Sequence, residues 1–159
     1  MRKFFGILSL VFLASFVTAQ DAIDYPAHNP GWEVDLNKAF EISEKTGKPI
    51  LANFTGSDWC GWCIRLTNSV FSKPDFKTWA ADNVVLLELD FPRRKRLPSA
   101  LAKQNTQLQQ ALKIRGYPTV YLMDIDKDAN GGFKINALGK TGYRKTVEQF
   151  TTEVEAMMK

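Results

Sequence analysis

The sequence predicts an α/β fold in which helices flank a central mixed β-sheet. Segments with apolar residues at helical spacing alternate with short, strongly apolar runs that are typical of strands. One such run, residues 84–90, is apolar almost throughout, as expected for a parallel strand that is covered on both faces. Two further strands are joined by a turn at residues 126–132 and must run antiparallel. Together these features indicate a mixed sheet, and we expect strand 84–90 at its centre.

The first half of the domain alternates between helix and strand. Apolar residues recur at helical spacing over residues 36–46, and Gly47 supplies a C-terminal stop. Residues 50–54 form an apolar strand, and the helix that follows the next loop is expected to run to about residue 70. A shorter helix is predicted over residues 74–81, with a proline in its first turn, where proline is favourable.

The second half of the domain begins with a basic loop. Residues 91–98 are bracketed by prolines, and residues 93–96 are four consecutive basic residues. Such a run is usually a solvated loop, although it could attract an acidic partner or an anionic membrane surface. The later elements are predicted as a helix over 99–112, strands over 119–124 and 133–138, and a helix over 146–158.

The N-terminal 19 residues have the pattern of a secretory signal peptide. Two basic residues precede an apolar run at 4–17, which is short for a membrane span, and Val17 and Ala19 fit the positions before a cleavage site. We expect the mature chain to begin at Gln20, and the alternative is an uncleaved membrane anchor. Either arrangement predicts a domain outside the cytoplasm, in the periplasm or secreted, where disulfides are stable.

Length and charge indicate one domain without a nucleic-acid partner. After an N-terminal extension over 20–35, residues 36–159 are enough for a single domain with a buried core. The whole chain of 159 residues has a formal charge of +4. Without Arg2 and Lys3 that charge falls to +2, and so small an excess of positive charge does not indicate nucleic-acid binding.

The chemistry is expected at the only two cysteines of the chain, Cys60 and Cys63. Their spacing places both on one face of a predicted helix, where they can close or open a small disulfide ring with little backbone movement. Redox chemistry is favoured over a purely structural disulfide, because so small a ring removes little entropy from the unfolded chain. Cys60 is expected at the helix N-terminus, which stabilises the reactive thiolate, so we assign Cys60 as the nucleophile and Cys63 as the resolving thiol.

No metal site is predicted. A structural zinc site needs four ligands, whereas the sequence offers two cysteines and one histidine, His28. We interpret His28 as a solvated loop residue. The turn at 126–132 resembles the front of an EF-hand loop, but Ala137 stands at the twelfth position, where calcium binding needs a glutamate. We therefore interpret that segment as a turn only.

The order of these motifs resembles the thioredoxin superfamily. Residues 59–63 read Trp-Cys-Gly-Trp-Cys after a strand, and residues 117–119 read Tyr-Pro-Thr at the start of the hairpin. The two motifs together are more specific than a Cys-x-x-Cys pair alone. The chain is similar to this superfamily from about Asn37 to its end, and residues 54–63 resemble the secreted bacterial thioredoxin-like proteins of the disulfide-reductase type. The resemblance implies a thioredoxin fold.

The resemblance also implies roles for residues around the cysteines. Pro118 is expected to have a cis peptide bond, to pack against the cysteine pair and to turn the backbone of Tyr117 toward an extended substrate segment. Trp62 could contact that substrate or be an ordinary, partly buried aromatic residue. The expected substrate-binding residues are Trp59, Gly61, Trp62, Tyr117 and Pro118.

Two departures from thioredoxin bear on the mechanism. Thioredoxin has a buried aspartate on the strand before its cysteines, where this chain has Asn53, which cannot titrate. Proton transfer from the resolving thiol must then rely on water or on a more distant carboxylate such as Asp58. Trp62 stands where thioredoxin has proline, and because it brings no charge we expect an intermediate to reducing potential.

The predicted function is that of an extracytoplasmic thiol–disulfide oxidoreductase. It would exchange disulfides with protein thiols and disulfides in the reducing or isomerising direction, and it would need no cofactor. We expect a monomer that is itself reduced by a membrane-bound thiol donor. The alternative is a thioredoxin-fold binding module or chaperone, which would hold unfolded chains on its aromatic surface without redox turnover.

Overall fold

The computed structural model describes residues 25–159, which fold into a four-stranded mixed sheet flanked by five α-helices. The predicted signal peptide, residues 1–19, lies outside the described residues. The sheet order is β2-β1-β3-β4, with β1 parallel to β2 and antiparallel to β3, and β3 antiparallel to β4. The strands are β1 (Ile50–Thr55), β2 (Val85–Asp90), β3 (Thr119–Lys127) and β4 (Phe133–Thr141). The helices are α1 (Leu36–Thr46), α2 (Gly61–Leu66), α3 (Pro74–Asn83), α4 (Ser99–Ala111) and α5 (Val147–Met157).

The predicted α/β class and mixed sheet are confirmed, and the helix ends have clear local causes. The side chain of Asp35 caps α1 by accepting the N–H of Asn37 at 2.9 Å, and Gly47 ends the helix at φ 68°, a left-handed conformation that favours glycine. Thr146 caps α5 by accepting the N–H of Gln149 at 3.2 Å. The helix that begins at the cysteines continues from α2 into a π-helical turn at Thr67–Phe71, which agrees with its predicted length.

Strand β2 lies at an edge of the sheet, so the prediction that it is the central strand is wrong. Part of its outer edge is covered by the N-terminal segment: the N–H of Glu33 donates to the carbonyl of Leu86 at 2.9 Å, and the N–H of Glu88 donates to the carbonyl of Glu33 at 2.8 Å. Because β2 is also covered on both faces, it has the apolar sequence of a central strand.

The sheet separates two apolar cores, and β1 contributes side chains to both. Ile50, Ala52 and Phe54 belong to the core that contains buried residues of α1 and α4. Leu51 belongs to the opposite core, which contains buried residues of α2, α3 and α5. Because side chains alternate along a strand, Asn53 lies on the same face as Leu51, the face covered by the cysteine-bearing helix.

A buried carboxyl, Glu88, anchors the N-terminal segment to the sheet. Its two oxygens accept the backbone N–H of His28, the backbone N–H of Asn29 at 3.0 Å and the side-chain amide of Asn29 at 2.7 Å. His28 itself is exposed, as predicted for a solvated loop residue. Burial raises the pKa of Glu88 above its ordinary value, and the three N–H donors oppose that shift only in part.

The raised pKa of Glu88 predicts a specific pH dependence of stability. A carboxyl with a raised pKa binds its proton more tightly in the folded state, so its contribution is fully present below the ordinary value of 4.5 and is lost as the pH rises through the raised value. Relative to Glu88→Gln, which cannot titrate, the wild type should lose about 1.4 kcal/mol of unfolding free energy for each pH unit in that window. Urea unfolding of both proteins from pH 4 to pH 8 measures this difference, and parallel pH profiles would contradict it.

Candidate functional site

The two cysteines form a disulfide at the N-terminus of α2, with their Cα atoms 5.2 Å apart. Cys60 is the residue that caps the helix, and its Sγ accepts the backbone N–H of Cys63 at 3.3 Å. The preceding loop is closed by the N–H of Cys60, which donates to the carbonyl of Gly56 at 2.9 Å. A sulfur in this position receives both a direct N–H donor and the positive end of the helix dipole, which together favour a thiolate on Cys60 once the disulfide opens.

Both cysteines of the disulfide are largely buried, and Cys60 is the more exposed of the two. Cys60 is 7% exposed and Cys63 is 3% exposed, whereas Gly61 and Trp62 between them are exposed. The Trp62 indole is the most exposed large apolar side chain among residues 25–159, at 53%. It packs on the Tyr143 ring with centroids 5.0 Å apart. Gly61 and Trp62 are therefore the exposed residues next to the Cys60 sulfur.

The peptide bond between Tyr117 and Pro118 is cis, as the resemblance implied. Thr119 pairs with Phe54 in the antiparallel register, so Pro118 lies at the end of the sheet where β1 leads into the cysteine loop. The rings of Trp59 and Tyr117 meet edge to face with centroids 5.8 Å apart. The fold thus joins the loop before Cys60 to the loop that contains the cis proline.

Trp59 is half-buried and held in place on several sides. Its Nε1 donates to the carbonyl of Phe91 at 2.8 Å, and the guanidinium of Arg93 lies 3.7 Å from the centre of its ring. On the inner side the indole lies against Gly56, where an added Cβ would be 2.5 Å from Trp59 Cε2. Of the two tryptophans expected to contact substrate, Trp62 is thus the solvent-exposed one, whereas Trp59 packs against the loop before Cys60.

This close approach predicts that Gly56→Ala is destabilising. The new methyl group must displace the indole of Trp59 and break its hydrogen bond to Phe91, at a cost of about 2 kcal/mol. Gly61→Ala is the matched control, because an added Cβ there meets nothing within 4 Å. Urea unfolding followed by far-UV circular dichroism measures both, and equal midpoints for the two variants would contradict the prediction.

Of the two positions considered for a proton acceptor, Asn53 carries no carboxyl group and the Asp58 carboxylate is already hydrogen-bonded. The Asn53 side chain is 1% exposed, and its Oδ1 has no hydrogen-bond partner among residues 25–159. Asp58, the carboxylate considered as a substitute base, accepts the N–H of Arg93 at 3.0 Å and the N–H of Arg94 at 2.7 Å. The Arg93 N–H, with help from Arg94, holds the pKa of Asp58 below its ordinary value, which makes this carboxylate a poor proton acceptor.

The family follows from comparison with known proteins. A family model described as thioredoxin-like matches residues 31–124, well over half of the chain. The chain belongs to the thioredoxin-like family. The disulfide bond reductase DsbH of Chlamydia pneumoniae is 33% identical to it over 113 residues, which are 71% of this chain and 68% of that protein. The thioredoxin-related protein DsbJ of the same organism is 25% identical over 117 residues, which are 74% of this chain but only 34% of DsbJ.

The solved structures agree with this family. One described as the DsbH oxidoreductase superposes with a TM-score of 0.68 at 30% identity, and the match covers 82% of this chain and 85% of that one. The predicted thioredoxin fold is therefore confirmed. The prediction of an enzyme of the protein-disulfide oxidoreductase class is confirmed by this homology together with the Cys60–Cys63 disulfide.

Sequence reasoning missed a buried polar cluster beneath the cysteine loop of this thioredoxin-like protein. Asp90, at the end of β2, accepts the backbone N–H of Ser57 at 2.8 Å and the Ser57 hydroxyl at 2.6 Å. Lys95 forms an ion pair with the same carboxylate at 3.2 Å, and the Asn105 amide donates to the Asp90 carbonyl at 3.0 Å. The sequence contained a signal for this cluster, because polar residues lie at the carboxyl ends of two strands predicted to be parallel. The carboxyl ends of parallel strands meet at the same edge of a sheet.

Among residues 25–159, no group of three or more histidine, cysteine, aspartate or glutamate side chains is arranged to hold a metal ion. No helix within those residues combines the length and apolar character needed to cross a membrane.

Proposed function

We propose that this protein is an extracytoplasmic thiol–disulfide oxidoreductase that reduces disulfides in other proteins. The observation that carries the proposal is the Cys60–Cys63 disulfide at the start of α2, with Cys60 Sγ accepting the Cys63 N–H and the cis Tyr117–Pro118 bond at the same end of the sheet. In the disulfide, the Cys60 sulfur can accept electrons from a thiol donor. As a thiolate, it can attack a substrate disulfide.

The reaction transfers two electrons and two protons to the substrate. Cys60 thiolate attacks one sulfur of a substrate disulfide, forms a mixed disulfide and releases the other substrate sulfur, which takes up a proton. Cys63 then loses its proton and attacks Cys60 Sγ, which breaks the mixed disulfide and releases the second substrate thiol. The enzyme is left with the Cys60–Cys63 disulfide, the state seen in the structure.

The names of the relatives and the loop chemistry support the reducing direction. The relative of 33% identity is called a disulfide bond reductase, and Trp62 places no charge between the cysteines. The enzyme would act as a monomer on exposed, extended segments of proteins that contain disulfides. It would then be reduced by a membrane-bound thiol donor, because a protein outside the cytoplasm is separated from the cytoplasmic thiol pool.

Turbidity of insulin in the presence of dithiothreitol tests the proposal. The protein should shorten the lag before precipitation of the reduced insulin chains, and the variant with both Cys60→Ser and Cys63→Ser should not. Equal lags for the wild type and the double variant would contradict enzymatic reduction. Suppressed precipitation by both would favour the binding module or chaperone, for which the exposed side chains of Trp62 and Ile64 offer an apolar surface.

The extracytoplasmic location predicts a processed N-terminus. When the full chain is expressed in a bacterium, the protein in the periplasmic fraction should begin at Gln20, because Val17 and Ala19 fit a signal-peptide cleavage site. Intact-mass analysis of that fraction gives the N-terminus directly. Recovery of the chain in the membrane fraction with Met1 retained would contradict cleavage and favour the uncleaved anchor.

A further inference from the structure

The basic loop, residues 91–98, is bound through its first four residues to the loop before Cys60, residues 55–59. The N–H of Phe91 donates to the carbonyl of Thr55 at 2.8 Å, and the Phe91 carbonyl accepts the Trp59 indole N–H at 2.8 Å. Asp58 then accepts the backbone N–H groups of Arg93 and Arg94. All of these partners lie within the five residues before Cys60. As predicted, this segment is a loop whose basic side chains are exposed, and its first four residues are in addition bound to the loop before Cys60.

Two guanidinium groups lie on the tryptophans that are adjacent to the cysteines. Arg93 lies over the ring of Trp59, and Arg65 lies over the ring of Trp62 with its Cζ 4.6 Å from the ring centre. The two tryptophans are the residues immediately before Cys60 and immediately before Cys63. We define the cationic surface as the exposed side chains Arg65, Arg93, Arg94 and Arg96.

The cationic surface keeps its charge because few carboxylates are near it. None of its four arginines forms an ion pair with a carboxylate of residues 25–159. Asp90 is engaged by Lys95 and Ser57, so it leaves the arginines uncompensated. Asp58 offsets one charge through the backbone of the loop. The surface beside the reactive sulfur is therefore positive, and its guanidiniums are shaped to bind carboxylates through two hydrogen bonds each.

We infer that the cationic surface selects protein substrates in which acidic residues flank the disulfide to be reduced. This inference rests on the proposed function and names the substrate class for the same site. Opposite charges would raise the rate at which such substrates reach Cys60, and salt would reduce that advantage. An anionic membrane surface would also attract arginines, but two of these guanidiniums lie on the tryptophans that flank the recessed sulfur. A chain that enters this site meets them, whereas binding to a flat headgroup layer does not require the sulfur.

Two matched disulfide peptides test the inference. Each is a homodimer joined by one cystine and blocked at both ends, with aspartates beside the cysteine in one peptide and asparagines in the other. The reduced wild-type protein is mixed with each peptide, and the released thiol peptide is measured by chromatography. Rates are divided by those with dithiothreitol, which also attacks as a thiolate but carries no basic group, to remove differences in the intrinsic reactivity of the two peptides. We expect the aspartate peptide to react about tenfold faster at low ionic strength, with the ratio falling as salt is added.

Charge variants test whether the ratio of the two peptide rates depends on the cationic surface. Arg65→Gln with Arg93→Gln should bring the ratio close to 1, because these are the two guanidiniums that lie on the tryptophans beside Cys60 and Cys63, whereas Arg65→Lys with Arg93→Lys should retain most of it. The matched control is Lys45→Gln with Lys134→Gln, which removes the same charge from exposed positions outside the surface and should keep the wild-type ratio.

The possible failures are distinguishable. Equal rates for the two peptides, with both reduced, would overturn the inference while leaving the proposed function intact. No reduction of either peptide would overturn both. Sedimentation of the protein with vesicles of anionic phospholipid, together with a peptide ratio of 1, would overturn it in favour of a membrane contact.

Discussion

Replacing Cys63 with serine is expected to trap substrate proteins on Cys60 as mixed disulfides. The nucleophile keeps its N–H donor from residue 63 and its place at the start of α2, so attack on a substrate disulfide proceeds. The second step has lost its thiol, and the mixed disulfide persists. Cys63→Ser should therefore accumulate more than about ten times the mixed disulfide formed by Cys60→Ser, in which only the 3% exposed Cys63 remains.

Non-reducing gels after rapid acid quenching measure the trapped species in cells or with a purified disulfide protein. The control is the variant with both cysteines replaced, which sets the background of adducts. A reversed pattern, with adducts on Cys60→Ser and few on Cys63→Ser, would show that Cys63 is the attacking thiol. The assignment of roles would then be wrong even though the pair is redox-active.

The second large effect is expected from Asn53→Asp. Asn53 faces the core beneath α2, is almost fully buried and has no hydrogen-bond partner for its Oδ1 among residues 25–159. A carboxylate at this position would supply the base that the site lacks, and we expect resolution of a preformed mixed disulfide to become about tenfold faster near neutral pH. The same charge would disfavour a thiolate on Cys60, so the initial attack should become several-fold slower.

The cross-strand neighbour of this position strengthens the expected pH dependence. Asn53 pairs with Glu88 in the parallel register, and Glu88 is buried on the same face of the sheet. Two buried carboxyls this close disfavour each other's ionisation, so the gain in resolution should appear only as the pH rises and the introduced group loses its proton. Stopped-flow kinetics separate attack from resolution. If neither rate changes, Asn53 does not lie beneath Cys63.

The parts of this structure that were predictable from sequence depend on local patterns. The apolar spacing of α1 and its Gly47 stop placed that helix correctly, and the cysteine spacing placed Cys60 at a helix start. The cis bond before Pro118 was predictable only through the resemblance, because an isolated Tyr-Pro pair is far more often trans. Local signals were sufficient wherever the structure is determined by neighbours in the chain.

The missed features depend on contacts between distant residues. The apolar sequence of β2 reports that its faces are covered, and it carries no information about whether another strand or only Glu33 lies at its edge. Glu88 and Asp90 look like solvent-facing residues in that sequence, yet their partners Asn29 and Ser57 lie 59 and 33 residues away. Likewise, residues 93–96 form the exposed basic run that their sequence indicates, but the sequence does not reveal that Asp58 accepts the backbone N–H groups of Arg93 and Arg94.

The reduction potential of the Cys60–Cys63 pair tests most directly whether electrons flow from this dithiol to protein disulfides. Equilibration with glutathione buffers of known ratio, followed by alkylation and mass analysis of the two cysteines, gives the potential directly. We predict a value between about −180 and −270 mV, the range from protein disulfide isomerase to thioredoxin. A value near about −120 mV, that of a strong oxidant whose reduced form is the stable one, would contradict it.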